Sequence, residues 1–204
     1  MIMTPETIRE AMDTLAGRDT DIARALAEVG YPAPRNREPG FEALVSIITG
    51  QQVSASAAAA IRGRLAEAVS PFTPENFLAA GEDALRAAGL SGRKIEYGCG
   101  IAEAMQSGAL DTGTLDRMDD DAVIATLTAL RGLGRWSAEI YMLFALRRLD
   151  VWPAEDLAIQ EALRRLKGLD ERPARNASEE IVASWQPWRG VAALFLWHYY
   201  KGAP

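Results

Sequence analysis

Cysteine and histidine are almost absent from this chain of 204 residues, which contains only Cys99 and His198. A single cysteine excludes a disulfide framework, a cysteine-based zinc site and a four-cysteine iron–sulfur cluster. The lone histidine argues against every multi-histidine metal site and against Ser-His-Asp or Cys-His catalysis. Any catalysis must therefore use carboxylates or backbone groups, and neither Cys99 nor His198 is assigned a role.

Lysine is also scarce, because only Lys94, Lys167 and Lys201 stand among the 22 basic residues. The 28 acidic residues leave a net charge of -6. This balance argues against a protein that coats nucleic acid through bulk charge, so any site for a polyanion must be local. The remaining basic residues are arginines, which suit bidentate phosphate contacts.

Long apolar runs are missing as well. No window holds about 18 uninterrupted apolar residues, and the first residues lack the basic and then apolar segment of a secretory signal. The single cysteine fits a reducing compartment. We therefore expect a cytoplasmic protein, nucleoid-associated if bacterial, with no membrane partner.

Strand patterns rich in Val, Ile and Thr are nearly absent, whereas helical spacing of apolar residues recurs throughout. Hydrophobic residues make up 49% of the chain, which is ample for a packed core. The sequence therefore predicts an all-α fold. Glycine, proline and aspartate breaks place the helices at residues 5–16, 20–29, 41–50, 53–69, 74–80, 82–88, 93–106, 119–129, 135–148, 156–167, 177–185 and 188–201.

One linker interrupts these helices. Residues 31–40 contain three prolines within eight residues, and such a segment cannot continue a helix. We expect it to join two lobes.

A loop between two predicted helices, Leu130-Arg-Gly-Leu-Gly-Arg-Trp-Ser-Ala138, could hold a phosphate. Its two glycines permit positive φ and close backbone approach, so its N–H groups and those that begin the next helix can point at one anion. An ordinary tight turn between helices, with Leu133 filling a gap in the core, explains the same spacing.

Four segments in order carry a family resemblance. The loop resembles the helix–hairpin–helix motif of the base-excision DNA glycosylase superfamily. Asp156, in Trp152-Pro-Ala-Glu-Asp, lies where that family has its catalytic aspartate, and Ile159 provides the aliphatic residue three positions on. Two further segments are similar to the 3-methyladenine DNA glycosylase II branch. They are residues 41–54, which include Gly50-Gln-Gln-Val-Ser54, and residues 185–197.

The resemblance implies a two-lobed helical fold with a cleft for DNA between the lobes. Residues 41–150 would form a barrel-like lobe that contains the hairpin at 128–138. Residues 1–40 and 151–204 would form the other, discontinuous lobe.

Asp156 is the catalytic residue that the resemblance implies. As a base leaves, C1′ of the sugar acquires oxocarbenium character, which a fixed carboxylate stabilises, or the carboxylate orients water. The alternative is that Asp156 only caps the N-terminus of the following helix. Glu155 is the competing carboxylate.

Aromatic residues would line the base pocket. Trp136 occupies the hairpin position where bifunctional members of the family carry a Schiff-base lysine, so the resemblance implies a monofunctional enzyme. Trp136 and Trp197 would stack on cationic alkylated purines, with Ile140 and Tyr141 on the pocket wall. Core packing is the alternative for both tryptophans.

The resemblance assigns DNA contacts to Gly132, Gly134, Arg135 and Ser137 at the hairpin and a wedge into the vacated stack to Gln52. Alternatives are a turn residue for Gln52 and a solvated side chain for Arg135. Catalysis would need no cofactor. A structural monovalent cation, Na⁺ or K⁺, would be held by backbone carbonyls of Thr128, Leu130 and Gly132.

We therefore predict a monomeric, monofunctional DNA N-glycosylase that excises alkylated bases, such as 3-methyladenine and 7-methylguanine, from double-stranded DNA and leaves an abasic site. Two alternatives stay open. One is a non-catalytic DNA-binding protein that uses the hairpin as a phosphate clamp, and the other is a glycosylase for mismatched or deaminated bases.

Overall fold

A computed structural model of the chain describes residues 2–202. Over this range the protein contains eleven α-helices, two short 3-10 helices and no strand, which confirms the predicted all-α class. The α-helices are α1 (Pro5–Arg18), α2 (Thr20–Val29), α3 (Phe41–Gly50), α4 (Ala55–Ala68), α5 (Pro74–Ala87), α6 (Gly92–Gln106), α7 (Asp120–Thr128), α8 (Arg135–Phe144), α9 (Leu157–Lys167), α10 (Arg175–Ile181) and α11 (Arg189–Gly202). None of these helices is both long and apolar enough to cross a membrane.

Side-chain caps explain where many of the helices begin. In each case an Asp, Ser or Thr side chain accepts a hydrogen bond from a backbone N–H in the first turn, where helical partners are missing. The capping residues are Thr4, Asp19, Ser54, Thr73, Ser91, Asp119 and Asp156.

Several predicted boundaries differ from the structure. The predicted helices 74–80 and 82–88 form one element, α5, with a break in its backbone at Gly81, where φ is 76°. The predicted helix 177–185 begins earlier, as α10, and is followed by a separate 3-10 turn at Ala183–Trp185. Another 3-10 turn, Leu115–Arg117, has no predicted counterpart.

The chain divides into two compact units. The terminal unit comprises Met1–Asn36 and Arg147–Pro204, and the central unit comprises Arg37–Leu146. These joins lie four residues before those drawn from the sequence, at 40 and 150. The terminal unit contains α1, α2 and α9–α11, and the central unit contains α3–α8.

Aromatic residues occupy the core of each unit. In the terminal unit the buried rings of Trp152 and Trp185 meet edge to face, with centroids 6.1 Å apart. In the central unit Phe41 and Phe77 meet in the same way at 5.3 Å. Gly98 of α6 lies directly under the Phe77 ring, because a Cβ there would come within 2.7 Å of Phe77 Cζ. This close approach lets α5 and α6 pack tightly.

Candidate active site

The hairpin lies between α7 and α8, as its motif predicts. The Leu133 N–H donates to the Leu130 carbonyl at 3.1 Å, which closes the turn. Leu133 itself is buried, so the turn also contributes to the core. Gly134 begins α8 without a capping side chain, so no cap competes with an anion for the N–H groups of its first turn.

Position 132 of the hairpin requires glycine. Its φ is 92°, a left-handed conformation that costs other residues energy. An added Cβ would overlap the ring of Tyr97 on α6 and lie 2.7 Å from Tyr97 Cβ. The hairpin backbone therefore lies against α6.

Gln51 joins the end of α3 to this hairpin, and the sequence reasoning missed it in favour of its neighbour Gln52. The Gln51 side-chain amide donates to the Gly132 carbonyl at 2.9 Å and to the Ser137 hydroxyl at 3.2 Å. Ser137 is only 2% exposed. The paired glutamines at the end of a predicted helix were the only signal for this role.

Lys94 of α6 holds the turn that follows α3. Its ammonium donates to the carbonyls of Thr49 at 2.9 Å and Gln51 at 2.8 Å, so it satisfies acceptors at the C-terminal end of α3. Partial burial lowers the pKa of Lys94. Gln52 follows, exposed and with φ of 56°, at the tip of the turn. The predicted wedge residue thus lies on a turn in which Lys94 holds the carbonyls of Thr49 and Gln51.

The Gln51 contacts lead to a stability prediction. Gln51→Ala removes both amide hydrogen bonds, and we expect it to lower the free energy of unfolding by about 1–3 kcal/mol. Gln52→Ala is the matched control, and its exposed side chain should change that energy by less than about 0.5 kcal/mol. Urea denaturation monitored by tryptophan fluorescence measures both. Equal effects of the two substitutions would contradict the assigned link.

Trp136, Ile140 and Tyr141 lie on α8. Trp136 is partly exposed, whereas Ile140 is 8% and Tyr141 0% exposed. The Tyr141 hydroxyl accepts the Gly40 N–H at 3.0 Å, and burial raises the pKa of Tyr141 to about 12. Trp136 is therefore the most accessible of the three for a base, and the pocket role of all three stays a prediction.

Arg135 has a partner within α8. Its Nε donates to Glu139 Oε1 at 3.0 Å, and Glu139 is only 3% exposed while the Arg135 side chain is 44% exposed. This contact places the guanidinium beside the hairpin. The phosphate contact predicted for Arg135 stays a prediction.

The carbonyls predicted to hold a monovalent cation belong to the end of α7 and to the turn. The Leu130 carbonyl accepts one N–H, from Leu133, and the Gly132 carbonyl accepts one, from Gln51. A carbonyl oxygen has two lone pairs, so each can still coordinate an ion. Within residues 2–202 no group of His, Cys, Asp and Glu side chains could hold a metal ion. The monovalent cation at these carbonyls stays a prediction.

Asp156 caps α9 in the terminal unit. Its Oδ1 accepts the N–H groups of Ala158 and Ile159, both at 3.0 Å, and also the indole N–H of Trp197 at 3.1 Å. Asp156 therefore caps α9, and the same bonds orient its carboxylate, while its catalytic role stays a prediction. Trp197, on α11, is partly exposed.

Glu155, the competing carboxylate, is engaged elsewhere. Its Oε1 accepts from Arg175 at 3.0 Å, and Glu155 is exposed. The choice of Asp156 over Glu155 as the catalytic carboxylate stays a prediction.

His198 and Cys99 have no assigned role, and their contacts are of a structural kind. A ring nitrogen of His198 lies 2.7 Å from the Val29 carbonyl. Burial, together with the nearby Glu103 and Glu82, raises the pKa of the Cys99 thiol. Neither group belongs to the sites described above.

Comparison with known families decides the identity. A family model described as HhH-GPD superfamily base excision DNA repair protein matches residues 45–187, a range that includes the hairpin and Asp156. The chain belongs to the HhH-GPD superfamily.

Relatives support this membership over most of the chain. DNA-3-methyladenine glycosylase 1 of Schizosaccharomyces pombe is 34% identical over 191 residues, 90% of this chain and 83% of that protein. DNA-3-methyladenine glycosylase 2 of Escherichia coli is 31% identical over 189 residues, 85% of this chain and 64% of that protein. These matches confirm the predicted superfamily and its 3-methyladenine glycosylase branch.

A solved structure shares the fold. The Schizosaccharomyces pombe 3-methyladenine DNA glycosylase Mag1 in complex with abasic DNA matches with a TM-score of 0.89 and 34% identity. The match covers 95% of this chain and 98% of that one. The HhH-GPD glycosylase fold predicted from the four segments is confirmed.

Proposed function

We propose that this protein is a DNA glycosylase that removes alkylated bases from double-stranded DNA by hydrolysing the N-glycosidic bond. The observation that carries the proposal is the carboxylate of Asp156, held by three N–H donors at the start of α9 in a chain of the HhH-GPD superfamily. Relatives that share most of the chain bear the name of this activity.

Asp156 acts on the sugar. An N-glycosylase swings the damaged nucleotide out of the duplex, so the sugar can approach a carboxylate that a duplex would otherwise exclude. As the base departs, positive charge develops on C1′ and the ring oxygen, and the negative charge of Asp156 stabilises it or orients the attacking water. Because the hydrogen bonds to Oδ1 are already in place, little reorganisation accompanies the reaction.

The central unit supplies the grip on the strand. The hairpin backbone around Gly132 and the start of α8 at Gly134 would bind phosphates through N–H groups, with Arg135 and Ser137 of the first turn of α8 beside them. Gln52, at the tip of the turn after α3, would fill the space left by the extruded base. A few backbone dipoles do not require a basic surface, which is compatible with the net charge of -6.

A monovalent cation is part of the same proposal. The carbonyls of Thr128, Leu130 and Gly132 would bind Na⁺ or K⁺ and so place positive charge near a phosphate. The ion supplies electrostatic attraction only, and no bond-making step depends on it.

Trp136 and Trp197 would contact the base. An alkylated purine such as 3-methyladenine or 7-methylguanine carries positive charge, which favours stacking on an indole face. A cationic base is also a good leaving group. We propose these lesions as substrates, and Ile140 and Tyr141 as further residues of the base pocket.

The position of Trp136 leads to a prediction about the product. Strand cleavage by a bifunctional glycosylase needs a lysine amine that forms a Schiff base, and tryptophan has none. We expect the DNA to keep an intact strand with an abasic site, and borohydride to trap no protein–DNA adduct. Hot alkali should then reveal one cut for each base released. Cutting that appears without alkali would contradict the monofunctional assignment.

Base release itself tests the function. The protein is incubated with duplex DNA methylated by a radiolabelled alkylating agent, and free bases are separated by chromatography. We expect 3-methyladenine and 7-methylguanine in the soluble fraction. Duplexes with deaminated or mismatched bases serve as competing substrates, and release from these alone would favour the alternative glycosylase. Binding without release from any substrate would favour a non-catalytic clamp.

A further inference from the structure

Two tryptophan–aspartate pairs occur in the terminal unit, and both aspartates cap helices. Asp19 caps α2 and accepts the indole N–H of Trp185 at 2.8 Å. Asp156 caps α9 and accepts the indole N–H of Trp197 at 3.1 Å. A helix start needs only the backbone N–H bonds to the capping side chain. The hydrogen bond from the indole N–H is therefore an additional contact that helix capping does not require.

The two pairs differ in which oxygen the indole reaches. At Asp19 the indole and the Lys167 ammonium, 2.6 Å away, share Oδ2, while Oδ1 accepts the backbone N–H groups. At Asp156 the indole bonds Oδ1, the oxygen that also accepts from Ala158 and Ile159. At Asp19 the indole shares an oxygen with a cation, whereas at Asp156 it shares one with two backbone N–H groups.

Three donors on one oxygen restrict how the carboxylate can turn. The rotation of an aspartate carboxylate about Cβ–Cγ is soft, and a helix cap alone leaves part of this freedom. The donors at Asp156 come from two elements, because α9 supplies the backbone groups and α11 supplies the indole. These helices pack against each other. Fixing Oδ1 from two directions also fixes the direction of Oδ2.

We infer that Trp197 is a positioning residue for Asp156. Its indole N–H holds the carboxylate at the angle from which it stabilises the charge on the sugar, separately from any stacking of its ring face on the base. This inference rests on the proposed function, because it assumes that the carboxylate of Asp156 acts in base release. The indole N–H of Trp197 would orient Asp156, and its ring face would stack on the base.

An isosteric replacement separates these tasks. Incorporation of 3-benzothienylalanine at position 197 exchanges the indole N–H for sulfur and keeps the two-ring face. Losing one hydrogen bond to a charged group should slow single-turnover base release about 10-fold. Affinity for a duplex with an abasic-site analogue should change less than about 2-fold, since the face is retained. Trp197→Phe removes both the N–H and much of the face and should weaken both quantities.

The Trp185–Asp19 pair provides the matched control. The same replacement at position 185 also deletes an indole bond to a helix-capping carboxylate in the same unit. It should lower the thermal midpoint without changing the rate of base release. A full rate for the 197 variant, or an equal loss of rate for the 185 variant, would overturn the inference.

Combining the replacement with Asp156→Asn distinguishes the two possible failures. If the indole acts through the carboxylate, the replacement at 197 should slow release no further once Asp156 is asparagine. Independent, multiplicative losses would mean that Trp197 acts without Asp156 and would overturn the inference. A full rate for Asp156→Asn alone would instead remove the carboxylate from the proposed function, whatever the 197 variant does.

Discussion

Replacing Asp156 with asparagine should slow base release by about 10²–10³-fold, as loss of comparable preorganised electrostatic groups does. Asparagine has nearly the same shape and caps helices as well as aspartate does. Its Oδ1 can still accept from Ala158, Ile159 and Trp197, so α9 should keep its start. What disappears is the negative charge that, in the proposed mechanism, stabilises the developing oxocarbenium ion. The measurement is single-turnover release of labelled base, with binding to abasic-analogue DNA recorded alongside.

The control for this substitution is another capping aspartate. Asp119 caps α7, where its Oδ1 accepts the Ala122 N–H at 2.7 Å, and it is exposed. Asp119→Asn removes the same charge from the same kind of cap and should leave the rate unchanged within about 2-fold. A normal rate for Asp156→Asn would show that the residue is only a cap and would remove it from its catalytic role.

Gly132→Ala is the second large effect that we expect, and it concerns stability. A left-handed φ of 92° costs an L-residue about 1–2 kcal/mol. Overlap with the Tyr97 ring costs about 1–3 kcal/mol more, as overpacking does elsewhere. Together we expect a loss of about 2–5 kcal/mol in the free energy of unfolding, measured by urea denaturation. Because the same backbone would hold phosphates, affinity for DNA should fall as well.

Gly134→Ala is the control within the same motif. Gly134 has φ of -91°, and an added Cβ would meet nothing within 4 Å. Alanine is a poorer helix cap than glycine, so a loss below about 1 kcal/mol is expected. If the two substitutions destabilise the protein equally, the close approach of the hairpin to α6 is not what makes Gly132 necessary.

Helix bounds were predictable where the start and stop signals are local. The predicted 20–29 and 41–50 coincide with α2 and α3, because Asp19 and the Gly40 break mark their starts. The predicted 135–148 extends past the end of α8 at Phe144. There the Leu146 N–H bonds the Tyr141 carbonyl and Arg147 adopts φ of 57°. Apolar spacing continues through that segment, so periodicity alone could not locate the end.

Single residues of the candidate site were less predictable than the motif that contains them. The glycines of the hairpin follow from its spacing, because turn chemistry is local. The bond from Gln51 to Gly132 joins residues 81 positions apart, and that from Trp197 to Asp156 spans 41. Such contacts depend on how α3 packs near the hairpin and how α11 packs on α9. The sequence therefore indicated Asp156 and Trp197 separately but not the hydrogen bond between them.

Mutations in helix α6 should affect more than one part of the candidate site. Lys94 supports the turn that leads to Gln52, and three residues later Tyr97 lies against Gly132. Neither side chain is proposed to contact DNA or to take part in catalysis. A mutation at either position would nevertheless disturb the hairpin or the turn with Gln52, which are proposed to contact DNA. Variation in α6 should therefore be pleiotropic, and suppressors of such alleles should map to the end of α3 or to the hairpin.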